Sequence, residues 1–356
     1  MKVLFFVPYP TKGPSNRFRV EQYFPVLREH QIDYKLDAFQ TDELYDILYS
    51  KDNFFRKFAL LIYCSIRRFF CLFKVKKFDV IFIHREAFPI FGSLFSKIIY
   101  LLNKNIVYDF DDSLFLYKSN NVLLKFLKQP KKLSEIIKLS KVVIAGNTYL
   151  RDYALKFNRN IIVIHTPIDT EKFVPKYNKP SKNKIVIGWV GSRTTSKYLN
   201  KLTKVFNILI SKCPNLEVQI IGGNCNFGDP RIINKSWSLE KEIENLQNFD
   251  IGLMPMDNDE WAKGKCAFKI IQYMSIGIPV VASPVGMNLE VIKEGINGFF
   301  ASSEEEWLEK LSELLENPEL REKLGFMGRK IVEEKFSIDI NAPKFLSVLL
   351  NISQGR

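Results

Sequence analysis

Short apolar runs alternate with amphipathic segments along the whole chain, and this alternation restricts its fold more than any other feature. Ten runs of four to eight residues, rich in Val, Ile and Phe, have the length and composition of buried parallel strands. The segments between them are typical of the helices that cover both faces of a parallel sheet. The predicted strands are residues 3–7, 79–83, 105–110, 141–146 and 161–165, then 184–191, 217–223, 250–256, 278–283 and 298–301.

Two doubly wound, Rossmann-like α/β domains are the architecture that this order of elements predicts. A chain of 356 residues is longer than most single hydrophobic cores need. Residues 169–183 are polar and contain proline, and they separate the two sets of strands. We therefore predict an N-terminal domain over residues 1–168, a linker over 169–183 and a C-terminal domain over 184–337. Residues 338–356 are predicted to form a C-terminal helix that can pack back on the N-terminal domain.

A net charge of +13 calls for an anionic partner, of which lipid, nucleic acid and phosphorylated substrates are the main classes. No recognised nucleic-acid-binding motif is present, so we expect no nucleic-acid partner. Residues 51–77 combine basic residues at helical spacing with Phe, Leu and Ile, which predicts a helix on an anionic membrane surface. A core helix with a solvated basic face explains the same pattern. The cations of this stretch are Arg56, Lys57, Arg67, Arg68, Lys74, Lys76 and Lys77.

Cysteine usage and hydropathy bear on the compartment. The five cysteines are odd in number and include no CxxC pair, which favours a reducing environment. The apolar run at residues 3–7 is too short for a signal peptide, and no uncharged stretch reaches transmembrane length. We therefore expect a cytoplasmic protein that is peripheral at the inner face of the cell membrane.

The carboxyl ends of parallel strands are where open sheets bind ligands, and two such sheets facing each other would form a cleft there. After the first predicted strand, a helix beginning near Arg17 presents Arg17 and Arg19 to an anion. A solvated helix start is the alternative interpretation. His84 and Arg85 follow the second predicted strand.

Three carboxylates lie close together after the strand at residues 105–110. Asp109, Asp111 and Asp112 repel one another, so a metal, arginines or sugar hydroxyls must stabilise their charge. Any one of them could instead cap the following helix. With only three histidines and no second acidic cluster at a matching strand end, we expect no metal site.

The sequence GWVGSRTTSK marks the end of the first strand in the second half of the chain. Gly191 and Ser192, followed by hydroxyl residues before a helix, are typical of a phosphate cradle. Arg193 and Lys197 would add two cations. Neither a P-loop nor a GxGxxG fingerprint is present, which disfavours nicotinamide chemistry.

Two further helix starts lie in the segment KGKCAFKIIQYMSIGIPVVASPVGMN. Lys265 and Lys269 flank a helix that begins near Phe268, and Gln272 lies one turn further along the same face. After the next strand, a glycine turn again precedes a helix. Helix N-termini with lysines beside them predict a diphosphate site, with exposed surface lysines as the alternative. The residues of the second helix start are Gly286, Asn288 and Glu290.

The chain resembles the retaining glycosyltransferases of the GT-B fold, family 4 type, also called glycosyl transferases group 1. Residues 250–299 carry the strongest match, and VYDFDD, AGNTYL, TPID and GWVGS carry weaker ones. The family typically has a Glu-x7-Glu pattern where this chain has Gly264 and Gln272. It also has an Arg and a Lys five residues apart, whereas Arg193 and Lys197 are four apart.

This resemblance implies a retaining, metal-independent hexosyl- or related glycosyltransferase with no cofactor. Its second domain would bind a nucleotide-sugar donor, and its first a glycan or lipid-linked acceptor, in the synthesis of a cell-surface polysaccharide or glycoconjugate. The implied catalytic residues are Asp109, Asp111, Lys265 and Lys269. The implied donor-binding residues are Gly191, Ser192, Arg193, Lys197, Lys265, Phe268, Lys269, Gln272, Gly286, Asn288 and Glu290. The implied acceptor-binding residues are Arg17, Arg19, His84 and Arg85.

Two other functions are compatible with the same residues. A sugar-nucleotide epimerase of the GT-B type needs paired acid–base carboxylates, and the second half offers mainly Glu290. A non-catalytic binder of membrane or polyanion that kept the fold would explain the missing Glu pair. Release of nucleoside diphosphate from a donor distinguishes such a binder from a transferase.

Overall fold

The chain folds into two compact α/β units, each built around a parallel sheet. The computed structural model describes residues 1–48, 52–89, 92–116, 131–175 and 184–355. The first unit comprises Met1–Pro167 with Ile338–Arg356, and the second comprises Ile168–Ser337. The prediction of two doubly wound α/β domains is confirmed. Of the predicted linker, residues 176–183 lie outside the described part.

The first unit contains a six-stranded sheet with the order β2-β1-β3-β4-β5-β6, and each described pair of neighbouring strands is parallel. Its strands are β1 (Lys2–Val7), β2 (Asp33–Ala38), β3 (Val80–His84), β4 (Ile106–Phe110), β5 (Val142–Ala145) and β6 (Ile161–Val163). Its helices are α1 (Pro14–Arg19), α2 (Phe24–Glu29), α3 (Asp42–Ile47), α4 (Phe54–Cys71), α5 (Gly92–Leu102), α6 (Lys131–Leu139), α7 (Thr148–Ala154) and, after the second unit, α15 (Ile338–Ser353).

The C-terminal helix α15 completes the core of the first unit. Its Phe345 stacks on Tyr23 with ring centroids 4.1 Å apart and lies 5.4 Å from Phe82 of β3. Phe5 of β1 belongs to the same buried cluster. Buried aromatic pairs of this kind add to the free energy gained by removing apolar area from water. The first unit therefore depends on the last residues of the chain.

The second unit repeats the design with the order β12-β11-β10-β7-β8-β9, again with parallel neighbours. Its strands are β7 (Ile185–Val190), β8 (Leu216–Ile221), β9 (Ile232–Lys235), β10 (Ile251–Met254), β11 (Val280–Ala282) and β12 (Phe299–Phe300). Its helices are α8 (Thr203–Lys212), α9 (Glu242–Gln247), α10 (Glu260–Lys263), α11 (Phe268–Ser275), α12 (Asn288–Val291), α13 (Glu304–Glu316) and α14 (Pro318–Ile331).

Each sheet has one edge strand that the apolar runs do not predict. Strand β2 has the sequence DYKLDA and β9 has IINK, and neither contains a fully buried residue. An edge strand faces solvent over part of its surface, so it needs no continuous apolar run. The search for such runs therefore finds the inner strands and misses these two.

The stretch predicted as a membrane helix forms α4 and a following 3₁₀ helix, Leu72–Lys77. Lys51 lies outside the described residues. The assignment of Arg68 to the basic surface of this stretch is wrong, because its side chain is fully buried and forms an ion pair with Asp37 at 2.8 Å. None of the helices in the described ranges is both long enough and apolar enough to cross a membrane.

Candidate functional site

The strand order of the second sheet fixes where its ligand site lies. From β7 at the centre, β8 and β9 extend to one side while β10, β11 and β12 extend to the other. The loops that follow β7 and β10 therefore diverge and leave a crevice at the carboxyl edge of the sheet. Such a reversal of strand order is where open α/β sheets bind their ligands.

The loop after β7 packs closely against the segment that follows β10. A Cβ atom added to Gly191 would lie 2.5 Å from the Trp189 ring and 3.0 Å from Cε of Lys269, so only glycine fits. Backbone N–H of Val190 donates to the hydroxyl of Tyr273 on α11 over 2.9 Å. The side chains of Ser192 and Thr194 share a 2.8 Å hydrogen bond at the exposed tip of the loop.

Two lysines lie over tryptophan rings in this crevice. Nζ of Lys269 is 4.8 Å from the ring centre of Trp189, and Nζ of Lys265 is 4.6 Å from that of Trp261. The faces of these rings attract the ammonium groups. No carboxylate pairs with Lys269 among the described residues. Burial and the neighbouring Lys265 charge lower the pKa of Lys269 to about 7.

Helix α11 begins abruptly beside these lysines. Ala267 precedes it in the left-handed region with φ 49°, which is uncommon for a residue with a Cβ atom and is often found at functional sites. Ala267, the residue at the N-cap position, makes no capping hydrogen bond with its side chain. The first backbone N–H groups of a helix have no partner within the helix, so an uncapped start attracts an anion.

Gln272 lies one turn into α11 and is only 4% exposed. No hydrogen bond of its side-chain amide is found within the described ranges. An amide without such a bond can donate to or accept from a ligand hydroxyl in the crevice. With Lys265, Lys269 and the start of α11, it forms a cluster of donors suited to a phosphate-bearing ligand.

The second predicted helix start is built for the fold rather than for direct contact. Gly286 has φ 53°, and a Cβ atom there would lie 2.8 Å from Cα of Lys263, so glycine allows the two loops to meet. Asn288 is buried and donates to the backbone oxygen of Ser283 over 2.9 Å. Helix α12 has only four residues. Glu290 is exposed, and Phe268 is partly buried beside the lysines.

The two cations predicted after β7 lie at the rim. Arg193 and Lys197 are both exposed, and Nζ of Lys197 lies 5.2 Å from the ring centre of Tyr198. Of the predicted donor-site residues, the structure thus brings Gly191, Lys265, Lys269 and Gln272 together.

The polar residues at the carboxyl edge of the first sheet form a buried charge network. Nε and Nη2 of Arg19 each donate to the Asp109 carboxylate, and Nη1 donates to the backbone oxygen of Ile164 over 2.7 Å. Nδ1 of His84 lies 2.6 Å from Asp109, and Nε2 lies 2.5 Å from the hydroxyl of Ser15. In the tautomer with its proton on Nδ1, His84 donates to Asp109 and accepts from Ser15.

A second ion pair lies next to this network. Nε of Arg85 donates to Asp111 over 2.6 Å, and its Nη2 lies 3.9 Å from Asp112. Arg85 has φ 59°, and two hydrogen bonds stabilise this conformation. The backbone N–H of Arg85 donates to the backbone oxygen of Asp109, and the hydroxyl of Tyr108 donates to the backbone oxygen of Arg85. The arginines therefore answer the question of what stabilises the three carboxylates.

The arginines also decide the charge state of the carboxylates. Burial alone would raise the pKa of Asp109, but Arg19 and the hydrogen bond with His84 outweigh it, and the pKa is lowered. Burial likewise opposes Arg85 at Asp111, and Arg85 prevails, so that pKa is lowered too. Both groups are ionised at neutral pH. Arg19, His84 and Asp109 are each at most 3% exposed, so they contact one another rather than solvent.

Metal ligands do not cluster in the described residues: no group of three or more His, Cys, Asp or Glu side chains there could hold a metal ion. Each carboxylate at the end of β4 has an arginine within ion-pair distance instead.

Sequence reasoning missed three residues of these two sites. The rings of Trp189 and Trp261 contact Lys269 and Lys265, and the hydroxyl of Ser15 forms a hydrogen bond with Nε2 of His84. Trp189 lies within the predicted strand 184–191, so its sequence context indicates a residue of the hydrophobic core. The position of Trp261 four residues before Lys265, about one helical turn, was the available signal.

Comparison with known proteins finds a family that the second unit resembles. Residues 169–331 match the family model described as glycosyl transferases group 1. The capsular polysaccharide biosynthesis glycosyltransferase CapM of Staphylococcus aureus is 26% identical over 186 residues, which cover 49% of this chain. The matched region spans about half of that relative, 48% of its length.

Two solved structures share the fold over essentially the whole chain. A glycosyltransferase from Rickettsia africae ESF-5 has a TM-score of 0.69 at 16% identity, covering 100% of this chain and 99% of its own. Anabaena Alr3699/HepE, solved with UDP and glucose, has a TM-score of 0.66 at 14% identity, covering 98% and 99%. At such identities the likeness establishes the fold, which is GT-B. The chain therefore has a GT-B fold, and its residues 169–331 are similar to the glycosyl transferases group 1.

Proposed function

We propose that the protein is a glycosyltransferase that moves a sugar from a nucleoside diphosphate sugar to an acceptor hydroxyl. The observation that carries this proposal is the pair of lysines over tryptophan rings beside the uncapped start of α11. Lys269 is partly buried, and desolvation together with the charge of Lys265 lowers its pKa, so an added diphosphate relieves an existing electrostatic cost. The site is better matched to an anion than to solvent.

In the proposed reaction, the bond between the anomeric carbon and the donor phosphate oxygen breaks, and the oxygen leaves with the electron pair. Lys265, Lys269 and the backbone N–H groups of α11 stabilise the negative charge that develops on the diphosphate. The acceptor oxygen bonds to the anomeric carbon, and its proton passes to the departing diphosphate oxygen. We propose that configuration is retained, as in the family that the chain resembles. We also propose that no metal takes part, because Lys265 and Lys269 supply positive charge for the diphosphate.

The relatives suggest the substrates. HepE was solved with UDP and glucose, and CapM is named for capsular polysaccharide biosynthesis. We therefore propose a UDP-hexose or related nucleotide sugar as donor, with Gln272 contacting ribose hydroxyls. A glycan or lipid-linked acceptor in cell-surface polysaccharide or glycoconjugate synthesis follows from the same likeness.

The first unit is proposed to bind the acceptor. Because Arg19, His84 and Asp109 are buried, they would position the partly exposed Ser15 and Asp111 rather than touch the acceptor themselves. Asp111, paired with Arg85 and ionised, would orient sugar hydroxyls. Asp109 is proposed as a positioning residue instead of a catalytic one.

The surface of α4 supports peripheral association with a membrane. Its large apolar side chains on the solvent side are between 45% and 86% exposed, and basic residues flank them. Apolar side chains beside cations are typical of helices that lie in the interface of an anionic bilayer. We propose that this surface holds the protein at the cytoplasmic face of the cell membrane. The apolar set is Phe54, Phe55, Phe58, Ile62, Tyr63, Ile66, Phe69 and Phe70.

A donor screen tests the proposed function without an acceptor. Nucleotide sugars and UDP are added separately, and the melting temperature of the protein is recorded, because a ligand of the native state stabilises it by mass action. Slow release of UDP from the best donor, measured with EDTA present, is expected. A donor that binds without any release of nucleoside diphosphate would favour a non-catalytic binder, and release that stops in EDTA would contradict metal independence.

A further inference from the structure

An open groove of about 1000 Å³ lies beside α4 in the first unit and takes no part in the sites described above. Its walls are the loop after β1, the end of β2 with the loop that follows, and one side of α4 with the start of the 3₁₀ helix. The groove therefore shares part of the apolar surface of α4 that is proposed to face the membrane, because Tyr63, Ile66 and Phe70 belong to both.

One wall of the groove is apolar and aromatic. Tyr63, Ile66, Phe70 and Phe73 line it, and each is more than half exposed. Their spacing of three or four residues is that of one helical face, so they form a continuous stripe along the groove. A soluble protein rarely leaves a stripe of this size open to water without a ligand or partner for it.

The rim of the groove is basic. Lys35 and Lys74 are exposed, and the guanidinium of Arg67 is held there where Nη2 donates to the backbone oxygen of Phe39 over 2.8 Å. The acidic Asp37 in the floor is neutralised by the buried Arg68 at 2.8 Å. Three cations and two carboxylates, Asp37 and Asp42, thus line the groove, and Asp37 is already paired.

The ion pair with Arg68 also makes the groove a preformed one. Besides its ion pair with the Asp37 carboxylate, Arg68 donates to the backbone oxygen of Val7 over 3.0 Å and to the backbone oxygen of Asp37 over 2.8 Å. Burial lowers the pKa of this guanidinium to about 10, which leaves it charged at neutral pH. Helix α4 is therefore fixed to the ends of β1 and β2, and its apolar stripe has a defined position.

We propose that this groove binds the lipid part of the acceptor: an apolar chain along the aromatic stripe and its phosphate or diphosphate among Lys35, Arg67 and Lys74. The inference rests on the proposed function and specifies a phosphate-linked lipid as the acceptor class. Charge-assisted hydrogen bonds to the phosphate fix its position, and burial of the chain supplies most of the affinity.

Binding of farnesyl phosphate below its micelle concentration tests the proposal, with farnesol as the tail alone and inorganic phosphate as the head alone. Farnesyl phosphate is expected to bind at least tenfold more tightly than either part. The double variant Lys35→Gln/Lys74→Gln is expected to weaken this binding at least tenfold, and Phe70→Ala at least fivefold. All three side chains are exposed, so these variants keep the fold.

Matched variants outside the groove serve as controls: Lys76→Gln lies two residues from Lys74, and Phe55→Ala lies on the same helix as Phe70. Both are expected to bind farnesyl phosphate within twofold of wild type. Equal weakening by the control and groove variants, or no weakening by the groove variants, would overturn the proposal. So would phosphate that binds as tightly as farnesyl phosphate.

Binding of UDP to the same variants separates this proposal from the proposed function. Because the groove and the crevice beside α11 share no residue, UDP affinity should stay within twofold of wild type in every groove variant. If the groove variants bind farnesyl phosphate as wild type does and UDP binding is intact, only the proposed lipid site is contradicted. If the wild-type protein binds no nucleotide sugar, the proposed glycosyltransferase function is contradicted. Binding of farnesyl phosphate still tests whether the groove binds a phosphate-linked lipid.

Discussion

At the scale of single residues, Lys269 is held by two opposing influences. The ring of Trp189 attracts its ammonium at 4.8 Å, while burial and Lys265 disfavour the charge strongly enough to lower its pKa to about 7. A cation kept in an unfavourable place in the free protein is available to a diphosphate, since binding restores its preferred charged form. The same imbalance should be visible in the stability of the free protein.

The pH dependence of stability should therefore change in Lys269→Met. Between pH 7 and about 10 the unfolded chain binds more protons than the folded one at this residue, so wild type gains stability as pH rises. Relative to Lys269→Met, the free energy of unfolding of wild type should rise by up to about 1.4 kcal/mol per pH unit. Urea unfolding from pH 7 to 9.5 measures this difference, and a flat difference would exclude the lowered pKa.

We predict that Asp109, which is buried away from substrate, contributes to the stability of the fold. Changing Asp109→Asn leaves the buried charge of Arg19 without its partner, which should cost about 3–5 kcal/mol of unfolding free energy. The exposed pair of Arg151 with Asp152, at 2.8 Å, provides the control, and Asp152→Asn should cost less than about 1 kcal/mol. Equal costs in urea unfolding would show that Arg19 does not depend on Asp109.

Residue spacing in the sequence allowed part of the site to be predicted. Lys265 and Lys269 were predicted to lie together because they flank a helix start after a strand, which is a local pattern. The burial of Arg19 and its pairing with Asp109 join residues 90 positions apart, and no local pattern contains that contact. Arg19 therefore read as a ligand-binding cation when its partner was already within the protein.

At the scale of elements, α4 shows how far amphipathicity can be read from sequence. Apolar and basic residues at helical spacing predicted the helix and its exposed surface, but not that Arg68 points inward. Its cost of burial is offset by Asp37 and by the backbone oxygens at the ends of β1 and β2. Strand β2, which supplies part of that partner set, was itself missed because an edge strand lacks an apolar run.

Vesicle binding should depend on the solvent-facing side of α4 and the 3₁₀ helix after it. Reversing Lys76→Glu and Lys77→Glu should weaken binding to anionic vesicles at least tenfold, since each basic residue near such a surface contributes about 1 kcal/mol. Phe55→Ser with Phe58→Ser should weaken it similarly by removing inserted apolar area. Co-sedimentation with vesicles measures both effects.

The controls lie on α14 in the second unit, where Phe326 and Lys323 are also exposed. Phe326→Ser and Lys323→Glu should leave vesicle binding unchanged. Binding by wild type that resists high salt and both pairs of α4 substitutions would contradict membrane docking through this surface. The exposed apolar side chains of α4 would then need another explanation.

At the scale of the whole molecule, repetition made the architecture predictable. Alternating strand and helix patterns give parallel sheets with right-handed crossovers, so two sets of them predict two doubly wound units. The return of α15 to the first unit depends on packing between Phe345 and Tyr23, residues more than 300 positions apart. Such a contact follows from shape complementarity and not from any local pattern.

Turnover in lysine variants tests the central claim most directly. Lys265→Ala and Lys269→Ala should each lower the rate of UDP release from the best donor by on the order of a hundredfold or more, as expected when an electrostatic stabiliser of the leaving group is lost. Lys263 belongs to the same segment but pairs with Glu260 at 2.5 Å, so Lys263→Ala should stay within a few-fold of wild type. Folded Lys265→Ala and Lys269→Ala proteins that both release UDP at the wild-type rate would contradict the claim.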